Sequence, residues 1–148
     1  MEQIQIIYKT NVATAEQLLD HLKKCNDQFV PSLDKKVRLQ QYAEKIATFA
    51  TRFEAWADEE LIGLVAAYFN EEKQEAFITN VSIIKQYSGK GIASQLMVGC
   101  INYTKADNFR EISLRVSASN ASAIGLYTKF SFKQTGSEGG EIVMQKNL

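Results

Sequence analysis

One proline, one histidine and two cysteines in 148 residues leave several kinds of protein without their materials. A lone Pro31 and eight glycines exclude collagen-like and Pro/Gly-rich disordered chains. Cys25 and Cys100 lie far apart, so they supply no disulfide framework, redox pair or metal cluster, and no metal site is expected. Charge of one sign is missing too. The chain has 17 basic and 17 acidic residues, so bulk attraction to nucleic acid is not expected. The longest apolar run, Leu61 to Phe69, is far short of the ~20 residues that span a bilayer. Met1 to Ile4 carries neither a basic n-region nor an apolar h-region, so no signal peptide is expected and a cytoplasmic location is. What remains is an ordinary globular composition, 45% hydrophobic. A chain of this length buries about 70% of its unfolded surface, and residues 1–148 read as one domain. Residues 1–74 hold 9 basic and 12 acidic residues, residues 75–148 hold 8 and 5. The halves are therefore −3 and +3, a mild bias toward an anionic ligand in the second.

Periodicity sets the expected elements. Ile4 to Tyr8 predicts a strand. Thr14 and Gln17 form a capping box that opens a helix running to about Lys24. A second helix is expected from Ser32 or Asp34, with its apolar stripe on Leu39, Tyr42, Ala43, Ile46 and Ala50. The period then changes from 3.6 to 2. Strands are expected at Phe53 to Ala57, Leu61 to Asn70 and Ala76 to Ile84, the second apolar on both faces. A helix from Gly91 to Lys105, a strand from Glu111 to Val116 and a helix from Asn120 to Lys129 follow. Strands near Phe132 to Thr135 and Glu141 to Gln145 close the chain around a Gly136–Gly140 loop. That order is an α/β (α+β) fold, a mixed sheet with helices on both faces.

Two segments carry chemistry. In the first, the strand ending near Ile84 leads through Gln86-Tyr87-Ser88-Gly89-Lys90-Gly91 into a helix. Glycines let backbone approach a ligand closely. The first N–H groups of a helix are unsatisfied and favour a phosphate. Ser94 adds a hydroxyl and Lys90 a charge. The Walker A and dinucleotide glycine spacings are both absent, and a plain strand-to-helix turn is the bland alternative. In the second segment, Asn120 caps a helix and Tyr127 follows seven residues later. That places Tyr127 on the same face, about 10 Å along the axis. The two could line one side of an extended ligand, or Tyr127 could be a core tyrosine.

Together the segments resemble the GCN5-related N-acetyltransferase (GNAT) superfamily. Gln86-Tyr87-Ser88-Gly89-Lys90-Gly91 matches its Gln/Arg-x-x-Gly-x-Gly/Ala signature. Asn120, Ala123, Leu126, Tyr127, Lys129 and Phe132 match its second, with Ser131 in place of the usual glycine. Ser88 stands where many bacterial members carry arginine. The resemblance covers about residues 53–135. It implies a mostly antiparallel six- to seven-stranded sheet with two splayed central parallel strands. It implies acetyl-CoA as co-substrate and direct transfer of its acetyl group to a primary amine of a small molecule. Backbone at Val81 and Ile83 would pair with the pantetheine arm. The pyrophosphate would sit on the N–H groups from Ser88 through Ala93 to Ser94, and Asn120 would contact the pantetheine or cysteamine region. An N–H near Ile83 would hold the oxyanion. Tyr127 would protonate or hydrogen-bond the leaving thiolate, in one version with a lowered pKa. Homodimers are common in that family, and no segment here fixes an interface.

No general base stands out. Glu75 and Glu54 read as solvated edge residues, and a water relay past Thr79 or Asn80 is an equal option. His21 reads as surface or packing and Cys100 as a small core residue; Lys129 reads as a solvated helix-end lysine, with an approach to the cofactor's phosphates as the alternative that the resemblance implies. Phe29, Val30, Trp56, Tyr68 and the Gly136–Gly140 loop are candidates for the acceptor side, and Asp58-Glu59-Glu60 could attract a cation. Tyr42 to Ile46 loosely resembles acetyltransferases of polysaccharide clusters, which implies an amino-sugar. Two other readings stay open: a non-catalytic acyl-CoA-binding module, and an unrelated mononucleotide-binding domain.

Overall fold

The structure is a computed structural model, and it describes residues 4–148. Seven strands and four helices follow the order β1 (Ile7–Thr10), α1 (Ala15–Cys25), α2 (Leu39–Phe49), β2 (Thr51–Ala57), β3 (Glu60–Asn70), β4 (Glu75–Ile83), α3 (Ile92–Ala106), β5 (Glu111–Ser117), α4 (Ala121–Lys129), β6 (Lys133–Glu138) and β7 (Glu141–Asn147). They build one mixed sheet in the order β1-β2-β3-β4-β5-β7-β6. Every neighbouring pair is antiparallel except β4–β5.

The sheet has a core on each face. Ile62, Val65, Ala67, Ile78, Ile112 and Leu114 pack on one side with Leu96, Met97 and Cys100 of α3 and Tyr127 of α4. Trp56, Leu61, Leu64 and Ala66 pack on the other with Leu18 and Leu22 of α1 and Ala43 and Ile46 of α2. This two-sided cover is why β3 carries no polar alternation. Gly63 sits beneath α3, where a Cβ would lie 3.0 Å from both Ile83 and Ile92 side chains.

Three elements differ from expectation by three residues or more at a boundary. β1 is Ile7–Thr10 rather than Ile4 to Tyr8, because its partner β2 ends at Ala57 and turns away through Asp58 and Glu59, leaving the earlier apolar residues nothing to pair with. α2 begins at Leu39 rather than Ser32 or Asp34. Residues Leu33–Lys35 form a short 3-10 turn instead, with buried Leu33 anchoring it in the second core. Gly136 to Glu138 belong to β6, so the last hairpin turns on Gly139 and Gly140 alone, both left-handed at φ +58° and +84°. A two-residue turn of that hand matches the twist of its strands.

The feature that positions everything else is a break in β4. Ala66 pairs with Asn80 and Ala67 with Ile78, so Thr79 is an extra residue. Such a bulge bends its strand. The parallel pairing with β5 runs from Glu75↔Glu111 to Ile78↔Leu114 and stops there. Beyond it β4 and β5 splay apart.

Candidate active site

The splay opens a cleft through the sheet. Its first part is a groove of about 470 Å³ between Val81 and Ile83 of β4, the Ser88–Ser94 turn and the start of α4. Val81 to Ile83 hydrogen-bond to β3 on one side only, so the edge facing β5 offers free backbone groups. Gly89 and Gly91 hold φ +75° and +78°, where an L side chain is strained. Gly91 is the N-cap of the 15-residue α3 and supplies no side-chain cap. The first N–H groups of α3 therefore reach the groove without partners, and the helix dipole makes that end positive. Lys129 Nζ stands 3.3 Å from Ser94 Oγ and brings a cation to the same place. An extended thioester ligand with a pyrophosphate fits this donor set: an open strand edge, then orphaned N–H groups, then a lysine.

The second part, about 340 Å³, runs on between β4 and β5 to the opposite face. Asn120 and Ala123 line both parts. Asn120 Oδ1 caps α4 by accepting from Ala123 N at 3.1 Å, which leaves its amide nitrogen for a ligand. Tyr127 is 7% exposed, lines the cavity and has no hydrogen-bond partner among the described residues. Burial pushes its phenol above the ordinary value of 10.0. That reverses the expectation of a lowered pKa: desolvation disfavours the phenolate and no cation offsets it.

Val81, Ile83, Ser88, Gly89, Gly91, Ala93, Ser94, Asn120 and Tyr127 thus come together along one cleft. Gln86 and Lys90 do not. Both are exposed and line a separate hollow with Ile4, Lys24 and Glu60. Phe29 and Val30 wall the second part of the cleft, whereas Trp56 and Tyr68 pack in the core beneath α2. Glu54 is not a solvated edge residue but fully buried. Its carboxylate accepts from Val12 N, Ala13 N, Arg52 Nε and Trp56 Nε1. With every lone pair engaged it ties α1 to the sheet and offers nothing to a substrate. Glu75 is exposed at the start of β4.

Sequence reasoning named Thr79 and Asn80 only as a water relay and missed Ser82, although these polar side chains gather beside the cleft. Asn80 and Ser82 are 3% and 5% exposed and point to the α1–α2 face. Ser82 Oγ is 2.7 Å from the Asn80 amide and 2.8 Å from His21 Nε2. Tyr42 Oη donates to Thr79 O at 2.8 Å. The available signal was two polar residues at period 2 in a strand otherwise apolar enough to be buried. Among the described residues, no group of three or more His, Cys, Asp or Glu could hold a metal ion. No helix among them is long and apolar enough to cross a membrane.

The model of the acetyltransferase (GNAT) family matches residues 15–132, and the chain belongs to that family. That membership replaces the mononucleotide-binding reading. An uncharacterized N-acetyltransferase of Bacillus subtilis, YycN, is 36% identical over 76 residues, 51% of this chain and 46% of that one. An N-alpha-acetyltransferase of Saccharolobus solfataricus is 36% identical over 62 residues, 41% of this chain and 37% of the other. These alignments span less than half the length of the relatives. PaiA N-acetyltransferase of Thermoplasma acidophilum, solved with coenzyme A, shares the fold at TM-score 0.80 and 16% identity, covering 97% of this chain and 99% of that one. A GNAT acetyltransferase of Elizabethkingia anophelis, solved with acetyl-CoA, does so at TM-score 0.73 and 18% identity over 97% and 98%.

Proposed function

We propose that residues 1–148 form a single acyltransferase domain that moves the acetyl group of acetyl-CoA to a primary amine of a small molecule, directly and within a ternary complex. The observation that carries this is the continuous cleft, in which orphaned N–H groups, an open strand edge and an unpartnered phenol follow one another. Acetyl-CoA supplies an activated thioester, whose acyl carbon the neutral amine attacks as the thiol leaves. The protein's own contributions are positional and electrostatic. The Ser88–Ser94 turn holds the phosphates, with Lys129 beside it. The free edge at Val81 and Ile83 aligns the arm, and an N–H there faces the developing oxyanion. Tyr127 keeps its proton, because burial holds the phenol neutral. A thiol has a reference pKa of about 8.5, so the phenol acts as a hydrogen-bond donor to the leaving sulfur rather than as a full acid. With Glu54 engaged elsewhere, the amine loses its proton to solvent along the cleft, and the rate rises with pH toward the amine's own pKa.

The acceptor end is walled by Phe29, Val30, Leu33 and Val37. Its nearby Glu141 is paired with Lys36 at 2.7 Å. Such a mouth suits an amine on an uncharged body, an amino-sugar among them. A cytoplasmic location and homodimerisation belong to the same reading, and neither nucleic acid nor membrane is a partner in it. The second reading is a non-catalytic acyl-CoA-binding module, favoured by the lack of a free carboxylate on the acceptor side. Melting with acetyl-CoA, ATP and NAD, followed by thiol release with amines, separates the readings. A ligand at 100 times its Kd adds roughly 2.7 kcal/mol, several degrees in a domain this size. A shift with acetyl-CoA and thiol release supports transfer. A shift without release from any amine supports the binding module. No shift overturns both.

A further inference from the structure

His21, Ser82 and Asn80 form a buried chain that ends at the wall of the acceptor cavity, and counting its hydrogens decides what that end presents. His21 is 1% exposed. Its Nδ1 lies 2.9 Å from Leu61 O, and its Nε2 lies 2.8 Å from Ser82 Oγ. Burial keeps the ring neutral, its pKa lowered to about 4. No carboxylate touches it among the described residues, and Glu60 acts on it only through space. A neutral imidazole has one N–H. Leu61 O can only accept, so that N–H is on Nδ1. Nε2 must then accept, and a 2.8 Å contact between Nε2 and Oγ requires a hydrogen between them. Only the Ser82 hydroxyl can supply it; the Cys25 thiol is farther, at 3.7 Å.

The single Ser82 hydrogen is thereby used. The structure places Asn80 Oδ1 2.7 Å from Ser82 Oγ and leaves Nδ2 buried without a partner; with no hydrogen left on Ser82 for that contact, the count exchanges the two ends of the amide, so that its nitrogen donates to Ser82 Oγ. The two ends of an Asn amide are distinguished only by such a network. The other end of the Asn80 amide is buried and has no partner within the protein. By this count it is the carbonyl oxygen. Tyr42 stands within hydrogen-bond reach of Asn80 as well as of Thr79 O and Oγ1, both at 2.8 Å; with its one hydrogen on Thr79 O, the phenol leaves the Asn80 oxygen open to a ligand. Asn80, Tyr42 and Tyr127 all line the same cavity.

We propose that the Asn80 side-chain oxygen receives the N–H of the acceptor amine, and that Ser82 and His21 are positioning residues which fix the amide with oxygen toward the cleft. This rests on the transfer reading above. The contact holds one amine hydrogen and leaves the nitrogen lone pair free to attack. It also selects against acceptors that lack an N–H, such as alcohols held through oxygen lone pairs.

The test has two parts. The 15N spectrum of His21 in the whole protein is expected to show Nδ1 protonated and Nε2 bare at neutral pH; a protonated Nε2 overturns the orientation. In thiol-release assays the probes are glucosamine, an alanine-initiated tetrapeptide and phenethylamine. N80L is expected to raise the amine KM about tenfold or more, as one lost hydrogen bond does, with the acetyl-CoA KM unchanged. Should N80L fail to fold, S82A serves: it frees the amide to turn and raises the amine KM severalfold, again with the acetyl-CoA KM unchanged. An unchanged amine KM in N80L or S82A, or an equal rise in the acetyl-CoA KM, overturns the amine contact. If the wild type acetylates none of the three probes, the contact falls together with the transfer reading, while the His21 spectrum still decides the orientation.

Discussion

Two buried polar clusters lie on the α1–α2 face, and they differ in one respect. The Glu54 cluster is closed. Val12, Ala13, Arg52 and Trp56 satisfy the carboxylate, and Arg52 in turn donates to Ala13 O at 2.9 Å and Ala47 O at 3.1 Å. It joins α1, α2 and β2 and lines neither part of the cleft. The His21–Ser82–Asn80 chain is open, with one amide atom buried and unpartnered at the cleft. An unpaired buried polar atom costs free energy. A closed network therefore reads as architecture, and an open one at a cavity wall reads as a socket for a ligand.

Four experiments would break or sharpen that comparison. The largest effect is expected for E54L, which leaves Arg52 buried without its counter-charge. Removing one partner of a buried pair costs roughly 3–5 kcal/mol, measurable by urea unfolding. A loss below about 1 kcal/mol, the scale of an exposed pair, would show that the cluster is not structural. The open chain should betray itself through pH instead. His21 has its folded pKa lowered to about 4 from 6.5. Its neutral form thus stabilises the fold above the unfolded value, and that contribution is lost as pH falls from about 6.5 toward about 4. The loss is roughly 3 kcal/mol. Unfolding at pH 7 and 4.5 should show it in the wild type and a flatter profile in H21Q; parallel profiles would mean that His21 does not carry the slope.

Third, Y127F should lower kcat about a hundredfold, the low end for a positioned proton donor. Its acetyl-CoA-induced melting shift should match that of the wild type. Unchanged turnover would return Tyr127 to the core. The smallest effect concerns Ser131, which follows α4 with φ +71°. A glycine relieves that left-handed strain, so S131G should gain about 0.5–1 kcal/mol in thermal unfolding. A destabilised S131G would mean that the serine side chain makes a contact outweighing its backbone.

Much of the site was legible because its signals are local. The capping box at Thr14 is present with both of its hydrogen bonds. The glycines of the Ser88–Ser94 turn take the positive φ that only glycine adopts easily. Asn120 caps α4 as its side-chain chemistry predicts. Gln86 matched the motif as a letter, yet its side chain leaves the groove, because residues Lys85–Tyr87 form a 3-10 turn that points it outward. Glu54 was misjudged since burial of a carboxylate depends on partners from three elements far apart in sequence.

The sequence by itself determined the order and type of the elements, the glycine turn before α3 and the Asn120–Tyr127 helix, since each follows from spacing within one segment. Only the tertiary structure decided that Thr79 bulges and parts β4 from β5. Only it brought Lys129 to Ser94, and aligned His21, Ser82 and Asn80 across 61 positions of chain. Strand register and burial are collective properties of packed elements, and no single segment encodes them.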